Sequence, residues 1–348
     1  MTPTTQFERE IREQPSVLER LMHAGRADAE VIARRIRAFN PQHVMIAARG
    51  SSDNAARYAQ YLLGAHNGLA VGLALPSLYT IYNSPPAVKG ALVIGISQSG
   101  ESPDIAAVID DARNQGALTL ALTNEIDSPL AQAAELCLPL HAGEEKSVAA
   151  TKTYTTQLFA IAMLSAALDT SPQHWNELLQ LPDQIDEAIR LTGNLDQAAA
   201  LFQDAQRFVV IGRGFNYATA FEIALKIKET SYIIAEPYSS ADFRHGPIAM
   251  VDAGFPVVLI APSGQALADV AELVDGLNQL QANVIAITDQ PDILAQSRAP
   301  LPLPSGVPEW LSPIVSVVPG QFWALALATG RGFDPDRPRG LSKITHTL

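Results

Sequence analysis

The sequence has 348 residues, 47% of them hydrophobic and 17% charged, with a formal net charge of −12. This length fits two units of about 150 residues better than one core, and the composition excludes a disordered chain. The acidic balance argues against a nucleic-acid partner, whose binding depends on Lys and Arg neutralising phosphates. The single cysteine, Cys137, excludes a disulfide framework and lies in an apolar run typical of a buried structural thiol. The seven histidines lack metal-ligand spacing, so we expect no metal site.

The N-terminus, MTPTTQFEREIREQP, is polar and contains no signal-peptide core. No continuous apolar run approaches the roughly 18 residues that a membrane-spanning helix needs. These features predict a soluble, cytoplasmic protein without a membrane partner.

In chain order, the pattern predicts an N-terminal helix and then two series of strands that alternate with helices. The strands are expected as apolar runs without alternation, which are typical of parallel strands covered on both faces. The first series is 43–47, 70–75 at an edge, 92–96, 118–123 and 136–140. The second series is 208–212, 233–235 at an edge, 257–261, 284–288 and 300–303. Strands separated by helices predict two doubly wound, mostly parallel α/β sheets.

The two series are copies of one unit, because sequence anchors recur at an offset of 164 residues. The anchors are Arg49-Gly50 with Arg213-Gly214, Ser99-Gly100 with Ser263-Gly264, Leu130-Ala131-Gln132 with Leu294-Ala295-Gln296, and Gln157 with Gln321. Such self-similarity indicates a tandem duplication. The expected organisation is an N-terminal helix in 1–30, a first domain in 31–170, a helical connector in 171–200, a second domain in 201–332 and a C-terminal tail in 333–348.

A serine-rich loop, GISQSGESPD, follows the third strand of the first copy. Its hydroxyls, its amide and its backbone N–H groups, with the dipole of the next helix, can surround one phosphate. The candidate ligands are Ser97, Gln98, Ser99 and Ser102. An ordinary turn with capping serines is the alternative, since the loop is neither a Walker loop nor a dinucleotide fingerprint. Ser51 and Ser52 follow the first strand, where phosphate contact and simple capping are both open.

A second group of candidates lies in the second copy. Lys226 and Glu229 are three residues apart on a predicted helix and therefore share one face. That spacing is also common in solvated salt bridges, but the RHGP loop that follows favours catalysis. A carboxylate such as Glu229 can serve as a general base, and His245 can move protons near neutral pH. The segment 143–155 by itself suggests only a helix N-cap region, and composition alone gives Lys343 no role.

The motifs SQSGES, SVAATK, ALKIKET, RHGP and PRGLSK, in this order, resemble the sugar isomerase (SIS) domain family. Within that family they are similar to the isomerase half of glucosamine-6-phosphate synthases, over nearly the whole chain. The resemblance implies two tandem flavodoxin-like SIS domains, a phosphorylated amino sugar as partner, no cofactor and a homodimer. The sequence departs from the family at Ala150, where Ser is usual, and at Ala241-Asp242, where Gly-Glu is usual.

The resemblance also implies roles for individual residues. Its phosphate ligands would be Ser51, Ser52, Ser97, Gln98, Ser99 and Ser102. Glu229 would move the proton between carbons 1 and 2, and Lys343, in a tail over the active site, would meet the open-chain carbonyl. Val148 and Lys226 would line the sugar. His245 would assist ring opening in the neighbouring subunit.

The direction of the reaction depends on the ammonia source. The synthases carry an N-terminal glutaminase half, whereas this sequence starts directly in the isomerase part, which favours breakdown of glucosamine 6-phosphate to fructose 6-phosphate and ammonia. Alternatives are a fructosamine-6-phosphate deglycase, a galactosamine-6-phosphate deaminase and a plain phosphosugar isomerase. A non-catalytic phosphosugar sensor is a further alternative, although no helix-turn-helix is evident in the first 40 residues. Because APSGQA replaces SQSGES in the second copy, we expect the first copy to hold the phosphate and the second to move protons.

Overall fold

The computed structural model describes residues 4–343 and contains two α/β units. The N-terminal domain comprises Ser16–Glu145, Lys152–Leu179 and residues 341–343. The C-terminal domain comprises residues 4–15, Lys146–Thr151 and Gln180–Gly340. Each domain is built on its own five-stranded sheet.

All ten strands found in residues 4–343 overlap predicted ones; nine differ by at most two residues at either end, whereas the strand predicted at 233–235 continues to Ser239. The strands are β1 (Val44–Ala48), β2 (Val71–Leu73), β3 (Leu92–Ile96), β4 (Leu118–Thr123), β5 (Leu136–Pro139), β6 (Arg207–Gly212), β7 (Ile234–Ser239), β8 (Pro256–Ile260), β9 (Asn283–Thr288) and β10 (Ala299–Pro302). The helices are α1 (Gln6–Arg12), α2 (Gln14–Phe39), α3 (Ser51–Asn67), α4 (Ser77–Thr80), α5 (Pro103–Asn114), α6 (Pro129–Ala133), α7 (Lys152–Asp169), α8 (Pro172–Thr192), α9 (Asp196–Ala200), α10 (Tyr217–Ser231), α11 (Ser240–Arg244), α12 (Leu267–Gln279), α13 (Pro291–Gln296) and α14 (Ser312–Gly330). Short 3₁₀ turns occupy Gly214–Asn216, Pro247–Met250 and Glu309–Leu311.

Both sheets are parallel throughout and share one strand order. The N-terminal sheet runs β2-β1-β3-β4-β5, and the C-terminal sheet runs β7-β6-β8-β9-β10. The strand order reverses between β1 and β3 and again between β6 and β8, which is where doubly wound sheets bind ligands. The predicted α/β fold is therefore confirmed.

The duplication extends to the backbone turns. Gly50 and Gly214 follow the first strand of each copy with φ of +55° and +58°. Gly68 and Tyr232 end the next helix of each copy, both left-handed, with φ of +65° and +58°. A left-handed φ is unfavourable for tyrosine. Tyr232 nevertheless keeps the left-handed conformation. The geometry of this helix end is therefore common to both copies, although only the first copy has a glycine there.

Each domain has a buried central helix, α7 in the first copy and α14 in the second. Gly320 of α14 packs closely against α10. A Cβ at this position would lie 2.3 Å from Ile223 Cδ1, so a larger residue would not fit. The helical segment Glu309–Gly330 is long and apolar enough to cross a bilayer by length and composition, but its apolar window is entirely buried in the C-terminal domain. The segment is not a continuous apolar run, since Ser316 and Gln321 interrupt it, so the expectation about continuous runs stands. The buried position of the segment is that of a core helix.

The N-terminal helix differs from the prediction, because it is interrupted at Glu13. Pro15 lacks a backbone N–H and is favoured in the first turn of a new helix, α2. The amides of Gln6 and Phe7 in α1 donate to Asp336 at 2.7 Å within the C-terminal domain. Helix α2 continues to Phe39, and its residues from Ser16 onward belong to the N-terminal domain.

A pair of stacked imidazoles in the N-terminal domain predicts a pH-dependent stability. The rings of His66 and His174 lie 4.9 Å apart with an interplanar angle of 20°. Burial and the charge of His174 lower the pKa of His66, against smaller opposing effects of Asp169 and Glu177. In the unfolded chain His66 takes up a proton at a pH of about 6.5, whereas in the folded chain it takes up this proton only at lower pH. The free energy of unfolding should therefore decrease as the pH falls below about 6.5.

His66→Gln is expected to reduce this loss of stability. Urea unfolding of wild type and variant at about pH 8 and about pH 5.5 measures the difference. The exposed His23 provides a matched control, since His23→Gln should keep the wild-type pH dependence. An identical pH dependence in wild type and His66→Gln would contradict the prediction.

Candidate functional site

Two serine-bearing turns lie side by side at the carboxyl edge of the N-terminal sheet. β1 and β3 are neighbours, with Ala48 paired to Ile96. The turns that follow these residues therefore meet at the switch point of the sheet. The structure thus brings together, within one domain, the predicted ligands Ser51, Ser52, Ser97, Gln98, Ser99 and Ser102.

The loop after β3 keeps its hydroxyl hydrogens available. Ser97 Oγ accepts the Gly100 N–H at 3.1 Å, and Ser99 Oγ accepts the Glu101 N–H at 3.3 Å. Each hydroxyl acts here as an acceptor, so its own hydrogen can be donated to a ligand. Gly100 has a φ of +66°, and a Cβ there would lie 2.0 Å from Ser128 Oγ, so only glycine fits. The loop opens into α5, a 12-residue helix whose N-terminus favours an anion.

Simple helix capping does not account for these serines. The N-cap of α3 is Gly50, which has no side chain, so Ser51 and Ser52 lie inside the helix. Ser102 occupies the N-cap position of α5 but makes no side-chain capping bond. Ser52 Oγ accepts instead from Nε2 of the buried Gln157 at 2.9 Å.

Arg49 adds a cation that sequence analysis used only as a repeat anchor. Its Nε and Nη2 donate to Asp104 Oδ2 at 2.8 and 2.7 Å, and the Asp104 side chain is fully buried. The second copy repeats this link between Arg213 and Asp269 at 3.8 Å. Because both copies carry it, the link belongs to the scaffold that joins the first turn to the following helix.

Lys343 is held by a carboxylate that sequence analysis missed. Its Nζ donates to Glu145 Oε2 at 2.8 Å. The buried Glu145 also accepts the Thr153 N–H at 3.0 Å and the Thr153 hydroxyl at 2.7 Å. The signal in the sequence is the acidic start of the segment GEEKSVAATK, which alone suggested a helix cap. The tail lysine therefore has a defined position in the N-terminal domain.

In the C-terminal domain, α10 carries a row of three charged side chains. Glu222, Lys226 and Glu229 are spaced four and three residues apart, which places them on one helix face. Lys226 Nζ lies 3.4 Å from Glu222 Oε1 and 2.5 Å from Glu229 Oε2. The side chains of Glu222 and Lys226 are 0% and 1% exposed, whereas Glu229 is 21% exposed. Glu229 therefore offers an oriented carboxylate at a partly open position.

The predicted catalytic pair of Glu229 and His245 is not brought together within this domain. α10 starts at the carboxyl edge of β6, and Glu229 lies in its last turn, about 18 Å along the axis toward the opposite edge. His245 follows β7 and α11 at the carboxyl edge and is exposed. Its imidazole makes no hydrogen bond or ion pair with residues 4–343. The two groups therefore lie at opposite edges of one sheet.

α11 fixes the position of His245. Ser239 caps α11: its Oγ accepts the Asp242 N–H at 3.2 Å, and its hydroxyl donates to the Asp242 carboxylate at 2.8 Å. The departure from the family at Asp242 is thus compatible with an intact helix start. Arg244 donates to Asp269 in α12 at 2.6 Å. Burial alone would raise the pKa of Asp269, but hydrogen bonds from Ser240 and Arg244, with nearby arginine charges, hold it below its usual value.

Val148 lies in a segment anchored to the C-terminal domain. The amides of Lys146 and Ser147 donate to the fully buried Glu10 at 2.5 and 3.1 Å. Gln321 Nε2 donates to the Thr151 carbonyl at 3.4 Å at the other end of the segment. Val148 itself is half-buried. The segment is therefore a loop fixed at both ends that leads into α7 at Lys152, and Glu145 before it caps this helix by accepting the Thr153 N–H.

The sole cysteine and the acidic residues give no sign of metal or thiol chemistry in the described part of the chain. No group of three or more His, Cys, Asp or Glu residues has the geometry of a metal site in residues 4–343. Cys137 lies in β5, as predicted, and is half-buried. Burial raises the pKa of its thiol, and the charge of Asp28 raises it further.

Comparison with known proteins agrees with this architecture. The SIS domain model matches residues 39–167 and 201–329. The glutamine–fructose-6-phosphate aminotransferase [isomerizing] of Thermococcus kodakarensis is 36% identical over 345 residues, which cover 96% of this chain and 57% of that protein. The glutamine–fructose-6-phosphate aminotransferase [isomerizing] of Pyrococcus horikoshii is 33% identical, and the match covers 56% of that protein. The chain thus spans slightly more than half the length of these relatives.

Solved structures show the same fold. The C-terminal domain of glucosamine-fructose-6-phosphate aminotransferase from Francisella tularensis superimposes with a TM-score of 0.88, at 28% identity, over 97% of this chain and 99% of that one. Glucosamine-6-phosphate deaminase from Thermotoga maritima superimposes with a TM-score of 0.79, at 22% identity, over 99% and 100%. The chain therefore belongs to the SIS domain family, carries two SIS domains and is homologous to the isomerase half of the aminotransferases.

Proposed function

We propose that this protein transfers a proton between carbons 1 and 2 of an amino-sugar phosphate. The specific reaction is conversion of glucosamine 6-phosphate and water to fructose 6-phosphate and ammonia. The observation that carries the proposal is the Glu229 carboxylate, partly open and held at 2.5 Å by the buried Lys226. A carboxylate oriented in this way is suited to general-base catalysis.

The chemistry follows from one shuttled proton. The open-chain sugar has an aldehyde at carbon 1 and an amine at carbon 2. Glu229 removes the carbon 2 proton, the electron pair of that C–H bond forms a double bond between carbons 1 and 2, and the carbonyl π bond breaks toward its oxygen, which takes up a proton to give an enaminol. Return of the proton to carbon 1 leaves an imine at carbon 2, and water hydrolyses it to the ketone and ammonia. Lys226 keeps the carboxylate oriented throughout, while the fully buried Glu222 balances its charge.

The phosphate end of the substrate is assigned to the N-terminal domain. Hydroxyl donors at Ser52, Ser97 and Ser99 follow neighbouring strands, and the N-terminus of α5 lies in the same loop. A phosphate dianion favours such a set of donors at a helix start. Ser51, Gln98 and Ser102 complete the proposed set, and Val148 is proposed to line the sugar.

The proposed homodimer supplies a proton-transfer group that one chain does not place near its own Glu229. Within one C-terminal domain His245 and Glu229 occupy opposite edges of the sheet. An exposed histidine without a partner in residues 4–343 is suited to act on a second copy. His245 is therefore assigned to ring opening in the neighbouring subunit.

Lys343 is assigned to the open-chain carbonyl. Its ammonium is positioned by the buried Glu145, and an ammonium beside an aldehyde oxygen stabilises the negative charge that develops there. The residues beyond Lys343 lie outside the described part of the chain.

A direct assay tests the reaction. Purified protein is incubated with glucosamine 6-phosphate, and ammonia and fructose 6-phosphate are measured in parallel. Equal molar amounts of both products are expected. A panel containing galactosamine 6-phosphate, a fructosamine-6-phosphate adduct, glucose 6-phosphate and fructose 6-phosphate separates the alternative enzymes. Binding of these sugars without any turnover would overturn the proposal and indicate a phosphosugar sensor.

A further inference from the structure

The C-terminal domain retains the counterpart of the serine loop at the same edge of its own sheet. The segment Pro262 to Ala266 follows β8 and precedes α12, as the serine loop follows β3 and precedes α5. Ser263 and Gly264 are kept at the positions of Ser99 and Gly100. The other hydroxyl positions are replaced, so this second loop relies mainly on backbone N–H groups and on one serine.

A carboxylate of the chain itself already occupies this loop. Glu309 Oε2 accepts the Gln265 N–H at 2.9 Å, and Oε1 accepts the Ala266 N–H at 3.1 Å. Gly264 has a φ of +152°, and a Cβ there would lie 2.3 Å from Glu309 Cδ, so the carboxylate lies directly against the loop backbone. Phosphate groups are bound in the same way at helix N-termini, where neighbouring backbone N–H groups donate to one anion.

A second carboxylate engages the remaining serine. Asp289 Oδ1 accepts the Ser263 N–H at 2.8 Å, and its Oδ2 accepts the Ser263 hydroxyl at 2.5 Å. Gln290 Nε2 also donates to Ser263 Oγ at 2.7 Å. The residue in the matching place after β4 is the neutral Asn124. The loop after β8 therefore has an added negative charge where its counterpart has an amide.

A small cavity adjoins this loop. Its volume is about 10 Å³, its wall is mainly apolar, and the polar residues among those that line it are Ser263, Asp289, Ser312 and Ser316. The Ser316 side chain is fully buried, and its hydroxyl has no hydrogen-bond partner among residues 4–343. An unpartnered buried hydroxyl in the wall indicates capacity for a further polar ligand.

We propose that the loop from Pro262 to Ala266 is a second anion-binding site that Glu309 closes from within. In the intact chain the Glu309 carboxylate takes the place of a phosphate, and Asp289 repels one. Removing both charges opens a site for inorganic phosphate or the phosphate group of a sugar phosphate. The proposal goes beyond the function proposed above, and only its comparison between the two copies rests on the phosphate site proposed there for the first copy.

The test compares phosphate binding by Glu309→Ala, by Glu309→Ala/Asp289→Asn and by the wild type. Isothermal titration calorimetry with inorganic phosphate should show one more bound phosphate per chain in the double variant than in wild type. The single variant should gain the same site with lower affinity, because Asp289 still repels the anion. Phosphate should also raise the Tm of the variants by more than that of wild type.

Glu272→Ala is the matched control, since it removes an exposed negative charge from α12, the helix that follows the loop, without touching the loop. An extra phosphate in this control as well would overturn the proposal and indicate an effect of net charge. Folded variants without any additional phosphate would also overturn it and leave Glu309 as a helix cap. If Glu309→Ala does not fold, Glu309→Gln/Asp289→Asn is measured in the same way.

A crystal structure of the double variant with phosphate locates the new ligand. Density within hydrogen-bond distance of the Gln265 and Ala266 amides supports the proposal, and an empty loop in phosphate-saturated crystals overturns it. The readout counts an added site in the C-terminal domain. It therefore stays decisive even if the wild type binds no phosphate or has no activity on glucosamine 6-phosphate.

Discussion

Glu229→Gln is expected to lower kcat on the amino-sugar phosphate by about 10²–10⁴-fold, with little change in KM. Glutamine keeps the shape of the side chain and can still accept a hydrogen bond from Lys226, but it cannot take up the carbon 2 proton. Lys226 retains its contact with the fully buried Glu222, so the fold should persist. Steady-state kinetics of ammonia release measure the effect, and thermal unfolding verifies the fold.

Two further variants give this prediction its contrast. Ser99→Ala removes a hydroxyl from the phosphate loop and should raise KM with a much smaller effect on kcat, because its contact is made in both ground and transition states. Glu236→Gln makes the same chemical change as Glu229→Gln at an exposed position of β7 and should behave like wild type. The reverse pattern, with binding lost in Glu229→Gln and turnover lost in Ser99→Ala, would contradict the assignment of roles.

A purified mixed dimer of two inactive variants is expected to recover about half of wild-type activity. If His245 acts on the partner's substrate, a dimer of one Glu229→Gln chain and one His245→Ala chain contains one intact site. One of its two sites is then active, and purification is needed because random assembly of equal amounts makes only about half of the dimers mixed. The variants are co-expressed with different affinity tags, and the mixed dimer is purified through both tags and assayed.

The matching homodimers are the controls, and both should remain strongly impaired. A mixed dimer as inactive as its parents would show that His245 acts within its own chain, contrary to the proposal. Light scattering provides an independent check, since the proposed dimer has twice the 37.2 kDa mass of the chain. A monomer at assay concentration would also contradict the proposal.

The strands could be predicted because parallel strands covered on both faces are continuous apolar runs. β3 and β4 coincide with the predicted runs, because all of their residues are buried and no exposed polar residue interrupts the apolar pattern. β7 is the informative exception, because the prediction ended at residue 235 and the strand continues to Ser239. The exposed Glu236 and the proline at 237 hide it, but an edge strand tolerates both.

The candidate site was predictable where neighbouring residues act as a group. The serine loop and the Lys226–Glu229 pair were visible because one loop or one helix turn contains all of their members. Glu145 was missed, because its partner Lys343 lies 198 residues away along the chain. Glu309 was missed in the same way, since it reaches amides 44 and 43 residues before it.

The sequence by itself determined the duplication, the α/β class, the strands and the local groups of functional residues, because these depend on periodicity and short spacing. Only the tertiary structure decided which side chains meet across long separations. It showed that Glu145 holds Lys343, that Glu229 and His245 lie at opposite edges of one sheet, and that a carboxylate occupies the second loop. The physical reason is that such contacts depend on strand order and helix direction, which residue spacing does not encode.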